Sequence, residues 1–173
     1  WCNGGMVLPR VIRLASREDA RAIAELSRRE IEHGLPWRWT TPRVLRAIRD
    51  RSTNVVAALE QDLLVGFGIM SYADETAHLN LLAVNPQSQR RGVGSALLFW
   101  LEQVAGVAGI ARIELEARQD NEAALAFYRR HGYRTTETMI GYYLGMEDGV
   151  RLEKQLGIPL NLERRDAARP GAT

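Results

Sequence analysis

The stretch Leu81-Leu82-Ala83-Val84-Asn85-Pro86-Gln87-Ser88-Gln89-Arg90-Arg91-Gly92-Val93-Gly94-Ser95-Ala96 decides the fold. It opens as an apolar strand, breaks at Asn85-Pro86, and passes two glycines into a helix whose apolar face is marked by Leu97, Leu98, Leu101, Val104, Ala105 and Ala108. Such a junction suits a diphosphate. Gly92 and Gly94 let the backbone approach a ligand without side-chain obstruction, while the amides of the first helical turn and the helix dipole favour negative charge. Arg90 and Arg91 add positive charge beside them.

Working downstream, Arg112 to Ala117 alternates as a strand does. Strand, helix and strand between His78 and Ala117 therefore read as a β-α-β unit with a right-handed crossover and parallel strands. A helix follows over about Asn121 to Arg130, with Gly132 as its left-handed terminator. Arg134 to Tyr143 and Val150 to Leu156 then form a closing antiparallel pair. Upstream, Val7 to Leu14 is the first strand, and Ser16 caps a helix with Asp19 in a capping-box position. Ala20, Ile23, Ala24, Ser27 and Ile31 mark its face up to about Glu32. Thr41 caps a second helix with Pro42 in its first position and Val44, Leu45 and Ile48 as the apolar stripe, ending near Arg51. Asn54 to Leu59 and Leu63 to Tyr72 make a hairpin through Glu60-Gln61-Asp62, and Ala77 to Val84 extends it. The expected class is α/β, with a mixed, mostly antiparallel sheet of about seven strands, one central parallel pair and about four helices.

The chain has 173 residues, 46% hydrophobic and 25% charged, which suits one globular domain, placed here at 6–156. Residues 1–5 read as an extension or an expression remnant, and 157–173 as a mobile tail. Cys2, the only cysteine, lies in the opening segment, so the domain proper has no disulfide, cysteine metal site or nucleophilic thiol, and no metal is expected. No apolar run approaches the ~20 residues that cross a bilayer, so no membrane association and a cytoplasmic location are expected. Net charge is +2 with scattered arginines and Lys154 as the sole lysine, which lacks the stripe of a nucleic-acid binder.

Glycine-rich strand-to-helix turns also serve dinucleotide and P-loop sites, but G-x-G-x-x-G and Gly-Lys-Ser/Thr are both missing here. Instead, Gln89-x-x-Gly92-x-Gly94 after Leu82-Ala83-Val84 resembles the acetyl-CoA pyrophosphate loop of the GNAT superfamily. The segment from Asn121 through Phe127-Tyr128 to Gly132-Tyr133 resembles the second cofactor-contacting helix of that superfamily, and the element order matches from about Val11 to Leu156. Leu115-Glu116-Ala117-Arg118 and Gly141-Tyr142-Tyr143 are similar to segments of ribosomal-protein-alanine and protein N-terminal acetyltransferases. The resemblance implies the GNAT fold, in which the parallel strands splay and the pantetheine arm pairs with the strand edge. It further implies acetyl-CoA as co-substrate, with Leu82, Ala83 and Val84 along the arm. Arg90, Arg91, Gly92, Val93, Gly94 and Ser95 would then line the pyrophosphate, and Asn121, Ala124 and Phe127 would contact the cofactor.

Acetyl transfer to an amine needs a neutral amine, a polarised carbonyl and a proton for the departing thiolate. The resemblance assigns the proton to Tyr128 and the base to Glu116, with His78 as an alternative base near the acceptor. A packed tyrosine and a solvated strand glutamate are the structural alternatives. A protein α-amine titrating near ~7.7–8.0 needs little base, whereas a lysine-like amine near ~10.4 requires about 4 kcal/mol of help at neutral pH. On the acceptor side stand Trp37, Trp39, His78, Tyr142 and Tyr143, with Glu147 and Asp148 to balance an ammonium; the tryptophans equally suit a cap over the core. The acceptor is thus a primary amine on a protein N-terminus or a small molecule, and a homodimer is left open. Two other readings compete: a non-catalytic acyl-CoA sensor and a nucleotide site. Tyr128 together with the glycine loop favours catalysis.

Overall fold

A computed structural model describes residues 9–143 and 147–157, without the side chains of Tyr143 and Glu147. The expectations placed on the opening segment and on the tail from 158 onward lie outside the described residues. These form seven strands and four α-helices: β1 (Arg10–Leu14), α1 (Ala20–Glu30), α2 (Thr41–Arg49), β2 (Thr53–Glu60), β3 (Leu63–Ala73), β4 (Thr76–Val84), α3 (Val93–Val107), β5 (Arg112–Arg118), α4 (Glu122–Arg130), β6 (Arg134–Tyr143) and β7 (Glu147–Gln155). The class is mixed α/β, as expected. Chain contacts group into two compact units, 1–71 with 79–101, and 72–78 with 102–173.

In the first unit the strand order is β1-β2-β3-β4. β1 pairs antiparallel with β2 from Arg10↔Glu60 to Leu14↔Val56. The β2–β3 hairpin turns through Gln61 (φ 50°) and Asp62 (φ 60°), the two left-handed residues that match the strand twist. β2 and β3 are near-continuous apolar runs because both their faces are buried. α1 and α2 supply Ala20, Ile23, Ala24, Leu26, Val44 and Ala47 to a core with Val55, Phe67, Ile69, Leu81 and Ala83. The capping box at Ser16 is present, with the Ser16 N–H donating to Asp19 Oδ2 at 2.7 Å. It closes a 3₁₀ turn over Arg17–Asp19, so α1 starts only at Ala20. Thr40, one residue earlier than expected, is the cap of α2, since the first helical bond runs from Val44 N–H to Thr40 O (3.0 Å).

Two strand glycines let α3 sit low on β3. A Cβ at Gly66 would meet Ala83 O at 3.0 Å, Leu97 Cδ1 at 3.1 Å and Val93 Cγ1 at 3.2 Å. One at Gly68 would meet Leu101 Cδ1 at 2.8 Å. Helix and sheet therefore approach to a distance that a methyl group would prevent.

In the second unit the order is β4-β5-β7-β6. β4 and β5 form the parallel pair, from Thr76↔Arg112 to His78↔Glu114. β7 lies between β5 and β6, antiparallel to both. It begins at Glu147, earlier than the expected Val150, because the ladder extends through Arg118↔Gly149 and Tyr143↔Glu147. Gly132 ends α4 with φ 89°. Beyond it Tyr133, almost fully buried, donates to Glu102 Oε1 (3.0 Å), whose other oxygen accepts from Lys154 Nζ (3.0 Å). Burial first, then the Glu102 charge, pushes the Tyr133 phenol far above its ordinary value, so it stays neutral and structural.

Candidate active site

The first unit carries the strand-to-helix turn. Asn85 Oδ1 accepts from Gln87 N–H (3.3 Å) over a 3₁₀ turn at Pro86–Ser88, and Gln89 Nε2 donates back to Val84 O (3.1 Å). The chain then uses two left-handed residues, Arg90 (φ 61°) and Gly92 (φ 79°), to swing into α3. Helical bonding begins with Ala96 N–H donating to Gly92 O (3.0 Å), which leaves the Val93 and Gly94 amides at the positive end of the helix. A Cβ at Gly92 would meet only Arg10 Nη1, at 4.0 Å, so the approach is open. This geometry fits a diphosphate. Of Val93 only the backbone is open to a ligand, since its side chain is buried. Gly94 and Ser95 are partly exposed, as are Leu82 and Val84, which alternate along β4 with the buried Leu81 and Ala83.

The two expected arginines divide. Arg90 is exposed. Arg91 is bound to Glu60 Oε2 at 2.9 Å, and Glu60 Oε1 accepts from Arg10 Nε at 3.4 Å. Arg10 also donates to Arg91 O (2.8 Å), so a carboxylate only 6% exposed, between two cations, staples the turn to β1 and β2. Arg10 and Glu60 escape sequence reasoning because each reads as an ordinary strand-end charge.

The loop between α1 and α2 is fixed by another buried carboxylate. Glu32 accepts from Ser27 Oγ (3.0 Å), Arg38 N–H (2.8 Å) and Trp39 N–H (3.2 Å). Trp39 packs against the core while its ring stacks under Arg43, the guanidinium carbon 4.1 Å from the ring centre. Trp37 is exposed beneath Arg28, at 4.9 Å. The two expectations for the tryptophans thus separate: Trp39 caps the core, and Trp37 lies at the surface.

The second unit carries the titratable groups. His78 Nε2 is hydrogen-bonded to Glu116 Oε2, and Arg151 Nε donates to Glu116 Oε1 (3.3 Å) while its Nη1 reaches Glu137 Oε2 (3.0 Å). Burial pushes the Glu116 carboxyl up, but the His78 and Arg151 partners outweigh it and hold it below the usual carboxylate range. Glu116 is therefore a paired carboxylate, and its immediate neighbour is the other expected base. Tyr128 is 8% exposed, edge-on to Phe127 (5.2 Å) and Tyr133 (5.6 Å). Asn121 caps α4 through Oδ1, accepting from Ala124 N–H at 3.1 Å, which leaves its amide nitrogen as the group able to donate to a ligand. Ala124 and Phe127 are partly exposed on that helix. Tyr142 lies over the backbone of Gly149, and the Tyr143 side chain is outside the described residues. Asp148, expected in a loop facing an ammonium, sits instead in β7 and accepts from Gly141 N–H (2.8 Å), because β7 starts three residues early. Among the described residues no cluster of three His, Cys, Asp or Glu side chains is set to hold a metal, and no helix is long and apolar enough to cross a membrane.

Residues 17–133 match the Acetyltransferase (GNAT) family. The [ribosomal protein bS18]-alanine N-acetyltransferase of Salmonella typhimurium is 30% identical over 142 residues, which cover 80% of this chain and 93% of that protein. N-alpha-acetyltransferase RimI of Mycobacterium tuberculosis is 29% identical over 157 residues, 87% of this chain and 96% of that one. The crystal structure of the ribosomal-protein-S18-alanine N-acetyltransferase from Escherichia coli superposes with a TM-score of 0.76 at 25% identity, covering 87% and 96% of the two chains. A family match over most of the chain, on a turn shaped for a diphosphate, makes this protein a member of the GNAT family of N-acetyltransferases.

Proposed function

We propose that this N-acetyltransferase takes its acetyl group from acetyl-CoA and passes it to a primary amine, on a protein N-terminus or a small molecule. The observation that carries this reading is the open left-handed turn at Gly92, which ends in the Val93 and Gly94 amides. Relatives named for acting on ribosomal-protein alanine and on α-amines support the acceptor class. Acetyl-CoA supplies an activated thioester carbonyl and a leaving thiolate. The amides of Val93 and Gly94, with Arg90, hold the diphosphate, and backbone groups of Leu82 and Val84 pair with the pantetheine arm.

As the amine nitrogen bonds to the carbonyl carbon and the C–S bond breaks, one proton leaves the amine and one reaches the sulfur. Tyr128 donates the second. The first goes to the His78–Glu116 pair. Glu116 alone, held below the usual carboxylate range, is a weak base. Joined to His78, it orients an imidazole, the side chain suited to proton transfer near neutral pH.

CoA release measured with a panel of N-terminal peptides and small amines tests the reading. Tyr128→Phe is expected to lose about 10²-fold to 10⁴-fold in rate while still binding acetyl-CoA. Binding of acetyl-CoA without release for any acceptor contradicts transfer, and full activity of Tyr128→Phe removes the phenol from the reaction.

A further inference from the structure

A cleft of about 310 Å³ lies within the first unit, lined by Trp39, Arg43, Arg46, Asp50, Thr53 and Asn80. Arg43 and Arg46 stand three residues apart on α2, hence on one helical face. Among the described residues neither forms an ion pair. The carboxylate placed to relieve them is Asp50, one turn beyond Arg46. It is turned into its own bend, where it accepts from Ser52 N–H (3.0 Å) and Thr53 Oγ1 (2.9 Å). Two like charges on adjacent turns thus have no ion-pair partner among the described residues.

Their surroundings are prebuilt. The Arg43 guanidinium lies over the Trp39 ring, its carbon 4.1 Å from the ring centre, a cation–π contact that restricts where the group sits while its N–H groups remain donors. Trp39 cannot swing away, because its own amide is bound by the buried Glu32 and its ring packs on the core. Asn80 is anchored in the opposite wall by Ser71 Oγ, which donates to its Oδ1 at 2.9 Å.

The geometry points to this cleft as a binding site for a carboxylate, received by Arg43 and Arg46 beside the Trp39 ring. Two cations against one carboxylate in the lining suit a single negative charge, and a doubly charged phosphate would face Asp50 at close quarters. The donors match a carboxylate because guanidinium groups present paired N–H bonds to its two oxygens. The carboxylate belongs to a free organic acid or to an acidic residue of a peptide. This inference stands apart from the acetyl-transfer reading and is tested without it.

Isothermal titration of the full chain, with no acyl donor present, compares N-acetylglycine with N-acetylglycinamide, and a blocked Glu-containing peptide with its Gln counterpart. None of these probes carries a free α-amine, so the readout is independent of catalysis. The expected result is preference for each acid over its amide. Arg43→Gln and Arg46→Gln should each weaken acid binding about three- to tenfold, a range set by charge-assisted hydrogen bonds discounted for partial exposure. Thermal midpoints of both variants, compared with that of Arg43→Lys, report whether the fold is retained. Preference for the free acid or for the peptide identifies the source. Equal affinity for acid and amide, or loss of neither in folded Arg43→Gln and Arg46→Gln, overturns the assignment.

Discussion

Gly66→Ala tests whether the close approach of α3 to β3 shapes the turn. The added methyl would lie 3.0 Å from Ala83 O, 3.1 Å from Leu97 Cδ1 and 3.2 Å from Val93 Cγ1. All three are inside ordinary contact distance, and one is backbone that cannot rotate aside. Overpacking of this kind costs about 1–3 kcal/mol, and the lower entropy of the unfolded alanine chain returns about 0.4–1 kcal/mol. The net loss is about 1–2 kcal/mol, which lowers the melting temperature by about 2–8 °C in a chain of this size. Because Ala83 is the penultimate residue of β4 and Val93 begins α3, the same displacement should spread the turn between them and weaken acetyl-CoA binding. Urea unfolding followed by circular dichroism measures the stability change, with an unchanged slope expected. Gly106→Ala is the control. Its Cβ meets nothing within 4 Å and it lies inside α3, so alanine there should stabilise by about 0.5–1 kcal/mol. If Gly66→Ala is as stable as the parent, or both substitutions behave alike, the close-packing argument is wrong.

Glu60→Gln removes the charge that holds Arg10 and Arg91, and should cost about 1–3 kcal/mol. This is less than a fully buried pair because Arg10 and Arg91 keep 26% and 47% exposure. Acetyl-CoA affinity should fall with it, as calorimetry would show; unchanged stability and affinity would mean the staple is idle. Glu116→Gln should change the pH profile of stability. Because the folded state holds this carboxyl below its ordinary value, its contribution is present above the unfolded pKa of about 4.3 and disappears as pH falls through the folded value. Denaturant midpoints of parent and variant should therefore differ at pH 7 and converge in acid as pH falls through that lowered folded value, and a gap that persists or widens there would contradict the pairing.

The periodic elements were legible because their residues repeat the geometry that buries them: β4 and β5 alternate between buried and partly exposed positions along their length. The glycine turn was legible through its composition, and its positive φ at Gly92 is what that composition allows. Asp19 after Ser16 signalled a helix start, but a local signal could not tell a 3₁₀ turn from the first turn of α1. Long-range partners were not legible. Glu32 and Glu60 look like surface charges in sequence: Glu32 becomes buried only when the loop just after it folds back to bring the Arg38 and Trp39 amides, and Glu60 only when β1 and the turn before α3 bring Arg10 and Arg91 to it. Gly66 and Gly68 look like weak points in a strand until α3 is laid on them. The insertion of β7 between β5 and β6, and its early start at Glu147, follow from ladder pairing that no single strand encodes. Of the residues expected on the acceptor side, Trp39 and His78 acquire defined partners in Arg43 and Glu116, whereas Asp148 is taken up by the backbone of Gly141.

The proposed function requires that backbone amides at the start of α3 hold the diphosphate of acetyl-CoA. Amide chemical shifts of the isotope-labelled chain, recorded during titration with acetyl-CoA and separately with NAD, test it atom by atom. Large saturable shifts at Gly92, Val93 and Gly94 with acetyl-CoA, and none with NAD, are predicted. Binding of acetyl-CoA that leaves those three amides unmoved, or equal shifts with NAD, would remove the diphosphate from this turn.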